Sequence, residues 1–294
     1  MPVSITEQEL VIPAPRQNQN GLEHIAQSVE RHLADDEVPI RFVVTASNKG
    51  GYRCEVGKLS GVSRLPESPI FSFNRRRVES SDTFNAVLLV PTGIGAEIGG
   101  HAGDATPVAK LLASVCDTLV THPNVVNASD MIDMPANALY VEGSVISRLL
   151  MGTSGLQKVR NNRLMVVVGA HEDELFINAA INSVNAARST YGLRCPRVVR
   201  LESGLEMRSS YTASGRAAGS VTGVDGLFEV MGQYRRDYDA IAITSLISVP
   251  PSYHQDYFES QGTMVNPWGG VEAMLTHAVS TLYDVPSAHS PMLE

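Results

Sequence analysis

The sequence predicts an α/β protein: a mostly parallel, doubly wound (Rossmann-like) sheet with a small N-terminal α+β subdomain. Three observations carry that expectation. The runs AVLLVP (86–91), DTLVT (117–121) and RLMVVVGA (163–170) are apolar without alternation, as strands covered on both faces are. Helical patterns fall between such runs across the last two-thirds of the chain, the rhythm of strand–helix–strand crossovers. A connector rich in proline, serine and arginine (61–83) also precedes the change to that rhythm, dividing a small unit, 1–80, from a main domain, 81–294.

Taken in order, residues 1–21 read as a loosely structured lead-in that ends in the turn-prone QNQNG. LEHIAQSVERHLA (22–34) reads as a helix, IRFVVTAS (40–47) as a strand and GYRCEVGKLSG (51–61) as a second, shorter one. Residues 61–83, with Pro66, Pro69 and an arginine run, read as a connector. After the strand at AVLLVP, Thr106 offers an N-cap and Pro107 a first helical residue. Val108, Leu111, Leu112 and Val115 then recur at helical spacing, which predicts an amphipathic helix with that stripe inward. DTLVT, LYVEG (139–143) and RLMVVVGA are the next strands, and a long helix runs from Glu172 to Tyr191, stopped by Gly192. PRVVRL and DAIAITSLIS read as further strands, with a helix near 226–234 before the second. The stretches 202–225 and 246–268 read as long loops, and a final helix covers 270–282.

Composition narrows the function. A net charge of −8 argues against a nucleic-acid partner, and no apolar run is long enough to span a membrane. Cys54, Cys116 and Cys195 form no CxxC pair, so neither a zinc knuckle nor a disulfide framework is expected. With no signal-peptide pattern at the start, the expected compartment is the cytoplasm, and a homodimer is the default assembly. Four lysines against nineteen arginines leave few Schiff-base candidates and suit a small carboxylate or phosphorylated substrate.

Ligands of open α/β sheets bind beyond the carboxyl ends of the strands. The residues at those ends are Thr92, His122, Glu142, His171, Ser245 and His289. The segment PTGIGAEIGGHAGDATP (91–107) follows the first strand of the main domain. Gly93, Gly95, Gly99 and Gly100 allow close backbone approach, and the helix start behind them favours an anion. Asp104 sits at the mouth of such a site, and His101 is equally a loop histidine. The spacing is not the dinucleotide fingerprint, and no cofactor is expected. In THPNVVN (121–127), Pro123 keeps His122 extended, and the amides of Asn124 and Asn127 suit a carboxylate or carbonyl. HEDEL (171–175) reads as a helix start with dipole-favoured acids, and no GxSxG elbow supports acyl chemistry.

These motifs together resemble an uncharacterised, domain-of-unknown-function family of cyanobacteria and plant plastids. Its pattern runs PTGIG…GGxAGDAxPxA, THPNVxN, LYVEG and GVEAxxxH…PxAHxP, matched here over residues 84–293. The resemblance implies no reaction. It does single out Asp104, His122, Asn124, Asn127, Glu142, Glu272, His277 and His289, and it lowers His101, whose place relatives often fill with tyrosine.

The leading reading is a cofactor-independent isomerase, tautomerase or lyase that moves protons on a small anionic metabolite. His122 would be base or acid with Asp104 or Glu142 as counterpart, and His289 a second proton carrier. Thr92, Gly93, Gly95, Gly99, Gly100, Asn124, Asn127 and Glu272 would hold the substrate. Three other readings stand beside it. One is a metal-dependent hydrolase with His122, Asp104 and His289 as ligands; the others are a non-catalytic sensor of an anionic metabolite and a structural protein.

Overall fold

The chain enters as a strand. Where a loose lead-in is expected, β1 (Ser4–Pro13) runs antiparallel to β3 (Gly51–Ser60) along its whole length. Only Ile5, Leu10 and Ile12 are its buried apolar residues, and the polar middle around Glu7 conceals the strand. The computed structural model describes residues 2–63, 70–77, 80–90, 105–126, 133–202, 204–260 and 263–292.

Helix α1 (Gly21–Glu30) follows, capped by the Asn20 side chain, and leads to β2 (Glu37–Asn48). A tight turn at Lys49 and Gly50 joins β2 to β3, and so short a link can only make an antiparallel pair. Then come β4 (Asn85–Val87), α2 (Thr106–Ala113), β5 (Thr118–Thr121), β6 (Ala138–Tyr140) and α3 (Gly143–Leu150). After them run β7 (Leu164–Val168), α4 (Glu174–Tyr191), β8 (Arg197–Arg200), β9 (Glu206–Tyr211), β10 (Ala217–Thr222) and α5 (Val224–Gln233). The last elements are β11 (Ala240–Ser248), α6 (Pro251–Glu259), α7 (Gly269–Tyr283) and β12 (Ser287–Met292).

The α/β class holds, but the single doubly wound parallel sheet does not. Among the described residues there are two sheets. The large one runs β2-β3-β1-β10-β9-β11-β7-β8, with β12 beside β11. Its first five strands pair antiparallel, while β11 pairs parallel with β7, β9 and β12, and β7 with β8. The small sheet, β4-β5-β6, is wholly parallel. The error has a local origin. Residues 202–225 hold the β9–β10 hairpin, whose inward positions include Ser209 and Ala218 in place of large apolar side chains. Likewise α6 lies within the second expected loop.

Helix α7 lies across the large sheet, with Val271, Met274, Leu275, Ala278 and Val279 buried in the main core. It comes very close. A Cβ on Gly270 would stand 2.2 Å from the backbone carbonyl of Ala217, so only glycine fits there. Arg41 donates to the Gly270 carbonyl at 3.3 Å and pairs with Glu7, which also meets Arg216; Arg216 in turn bonds buried Glu55. This four-charge cluster ties the N-terminal strands to the start of α7. Helix α2 departs from expectation: Thr106 makes no cap bond, and Val108, Leu111 and Val115 are exposed, while Ala109 and Ala113 face its small sheet.

Candidate functional site

The three parallel strands of the small sheet end side by side, and α7 of the large sheet faces them. β5 ends at Thr121, opposite Tyr140 of β6, and the Val141 N–H donates to the Thr121 carbonyl at 3.0 Å. His122 and Glu142 therefore leave neighbouring strand ends, as expected.

His122 is already engaged. Its Nε2 accepts the Val90 N–H at 3.0 Å, and Asn124 Nδ2 donates to the Val90 carbonyl at 3.2 Å. Ala105 N–H donates to the Val125 carbonyl at 3.0 Å. The THPNVV turn thus grips the chain on both sides of residues 91–104. An Nε2 that accepts a backbone N–H requires a neutral ring, and burial lowers the His122 pKa in the same sense. Thr92, Gly93, Gly95, Gly99, Gly100, His101, Asp104 and Asn127 lie outside the described residues.

Glu142 caps α3. Its Oε1 accepts the Ser144 N–H at 2.9 Å and lies 3.0 Å from His277 Nδ1, while Oε2 accepts the Ser144 hydroxyl. Burial alone would raise this carboxyl. The charge and hydrogen bond of His277, joined by the two Ser144 bonds, outweigh it and hold the pKa at about 2. With both oxygens committed, Glu142 orients its partner. His277 Nδ1 also lies 2.5 Å from the Ala273 carbonyl, so two acceptors place the proton on that nitrogen. Nε2 has no hydrogen bond among the described residues, and the side chain keeps 20% of its exposure.

A second carboxylate–imidazole pair lies one turn earlier on α7. His289 Nδ1 is 2.9 Å from Glu272 Oε1, and its Nε2 is 2.9 Å from Ser245 Oγ on the adjacent strand β11. Here the imidazole is the inner member, with 0% side-chain exposure against 24% for Glu272. The charge of Glu272 also reaches the small sheet. Burial, and after it the charge of Glu272, raises the Tyr140 phenol above its ordinary value, keeping that hydroxyl a donor. Tyr140 and Glu142 are two residues apart, so both pairs on α7 meet the same short stretch.

The proposed metal set is not assembled by its described members. His122 gives Nε2 to Val90, and both nitrogens of His289 are engaged within the large sheet. Among the described residues no group of three or more His, Cys, Asp or Glu could hold a metal ion. His171 accepts the Asp173 N–H, and Asp173 caps α4, a structural use of the HEDEL acids. Sequence reasoning ranked His277 below His122 and did not pair Ser245 with His289. Glu272 and His277 stand five residues apart on α7 and each meets a different partner.

Residues 85–294 match the family model described as "Protein of unknown function (DUF3326)". A protein of Synechococcus sp., described as an uncharacterized lipoprotein, is 36% identical over 216 residues, 72% of this chain. The matched stretch spans 59% of that relative's own length. No solved structure matches. Both carboxylate–imidazole pairs lie within the matched region.

Proposed function

Because this chain belongs to the family of proteins of unknown function DUF3326, whose description assigns no reaction, we propose a function from the site itself. The protein is an enzyme of general acid–base proton transfer, an isomerase, tautomerase or lyase, acting on a small carboxylate or phosphorylated metabolite without a cofactor. The observation that carries this is the Glu142–His277 pair. Glu142 is held ionised and fully bonded, it fixes the imidazole through Nδ1, and it leaves Nε2 without a hydrogen bond among the described residues. A proton-handling imidazole with its orienting carboxylate is the minimum such chemistry needs. Tyr140, held protonated, offers a donor to a substrate oxygen. His122 and Asn124 act one step back, by fixing Val90 at the entry to the glycine-rich segment expected to receive the anionic group.

The test is deuterium uptake from heavy water into a panel of simple oxo, hydroxy and amino acids and their phosphorylated analogues. Wild-type protein is expected to label at least one of them, and His277→Asn to lower that rate roughly 100-fold or more. Labelling that survives His277→Asn unchanged removes the proposal.

The reading places the enzyme in the cytoplasm, in keeping with three unpaired cysteines, two of them buried. The relative's description as a lipoprotein offers a lipid-anchored location instead. The described residues contain no helix long and apolar enough to cross a membrane. Cell fractionation decides between the two.

A further inference from the structure

Ser245, His289 and Glu272 form an unbroken hydroxyl–imidazole–carboxylate chain with both links at 2.9 Å. Strand pairing builds it. His289 stands opposite Ile243 across the parallel β11–β12 pair, so it shares a face with Ser245 two residues further on. Glu272 is supplied from above by the first turn of α7, where the helix N-terminus favours a carboxylate. The connectivity is that of a serine nucleophile with its base and orienting acid.

Access rules the nucleophile out. Ser245 is 1% exposed, and its Oγ lies 3.2 Å from Met207 Sδ. On the other side Gly169 packs so closely that a Cβ there would stand 2.8 Å from the Ser245 Cβ. No substrate carbonyl reaches Oγ. The chain does have one solvent-reachable end, and that end is Glu272, whose side chain is 24% exposed. Its Oε2 has no hydrogen bond among the described residues, and its charge is felt by Tyr140.

Resting on the acid–base reading above, we infer that Glu272 is the second catalytic proton-handling group of the cleft, and that His289 and Ser245 are positioning residues that hold its carboxylate from behind. In one turnover Glu272 takes a proton from a substrate C–H bond, and the electron pair left behind forms the enol double bond. His277 Nε2–H gives a proton to the substrate oxygen. Glu272 then returns its proton to water and His277 regains one, so the enzyme is restored. The roles suit the burial pattern. Each outward group is backed by a buried partner that fixes its direction before substrate arrives, so little reorganisation accompanies the transfer.

The test uses the full chain and the same acid panel in heavy water, with wild type, Glu272→Gln, Ser245→Ala and the double variant. Glu272→Gln is expected to lower exchange roughly 100-fold or more. Ser245→Ala is expected to lower kcat about tenfold, the size of one hydrogen bond, with KM unchanged. In the Glu272→Gln background, Ser245→Ala should cost nothing further, because it acts through that carboxylate. Losses that multiply in the double variant, or full exchange in Glu272→Gln, overturn the inference. Exchange abolished by His277→Asn yet untouched by Glu272→Gln overturns it alone and leaves the reading of the cleft standing. No labelling of any acid by wild type removes both. Nitrogen NMR of histidine-labelled protein reads the relay without turnover. The expected result is a His289 proton on Nδ1 that Glu272→Gln perturbs while the His277 ring is unchanged, and a proton on Nε2 alone overturns the relay.

Discussion

At the scale of single residues, two titrating groups both cost stability as pH falls, in separate windows. Glu142 has its carboxyl moved from 4.5 to about 2 by His277 and Ser144 against the effect of burial. Its contribution to stability is complete above 4.5 and is lost as pH falls through about 2. Acid unfolding of Glu142→Gln should therefore be flatter than that of wild type across that window, as read by circular dichroism. His122 has its pKa lowered from 6.5 by burial, so as pH drops below 6.5 the unfolded chain takes the proton first. Stability is expected to decline from 6.5 downward, and protonation also removes the acceptor for Val90. Urea midpoints measured above and below 6.5 should differ more in wild type than in His122→Asn, and equal differences would refute this. The residue types of the site were legible from sequence: His122 and Glu142 occur where strands end and Glu272 where α7 begins, whereas His289, expected beyond a strand, lies inside β12. Which member of each pair faces the cleft was not, because that depends on whether the imidazole or the carboxylate lies over the large sheet.

At the scale of elements, α7 carries most of the structural demand. It supplies the main core and Glu272 and His277, and its end is tied to α3 by the Arg148–Asp284 ion pair. Its approach to β10 is set by Gly270. A methyl there would meet backbone, not a movable side chain, so Gly270→Ala should destabilise by about 1–3 kcal/mol. It should also displace Glu272, two residues on. Thermal unfolding and panel exchange should fall together in that variant, and an unchanged melting temperature would show that the helix has room. Strands with continuous apolar runs, β5 and β7 among them, were legible for the reason that hid β1, β9 and β10. Burial on both faces writes itself into sequence. A strand whose inward positions are Glu7, Ser209 or Ala218 does not, since its partners are charges and a close helix backbone. Helix α3, opening directly from LYVEG, went unread because Glu142 serves as both its cap and a site residue.

At the scale of the molecule, the connector at 61–83 marks the break between β3 and the small sheet, yet the packing runs across it. β1 pairs with β10, and Ile5, Ile40 and Leu59, all fully buried, belong to the same core as α7 and β11. Arg41 and Glu7 continue that contact into the charged cluster under Gly270. Burying those three side chains alone contributes roughly 5–9 kcal/mol. That is comparable with the whole stability of an ordinary domain, about 5–15 kcal/mol. Removing the N-terminal strands would also strip β10 of its β1 partner and Arg216 of both its carboxylates, Glu7 and Glu55. A chain cut to residues 85–294 is therefore expected to lose its cooperative thermal transition and to bind a hydrophobic dye, although it retains the family-matched residues and both carboxylate–imidazole pairs. Calorimetry of the cut chain beside the full one makes the measurement. A sharp transition near the full-length melting temperature would mean that the first eighty residues are an appendage; its absence would make their three strands an integral third of the large nine-stranded sheet.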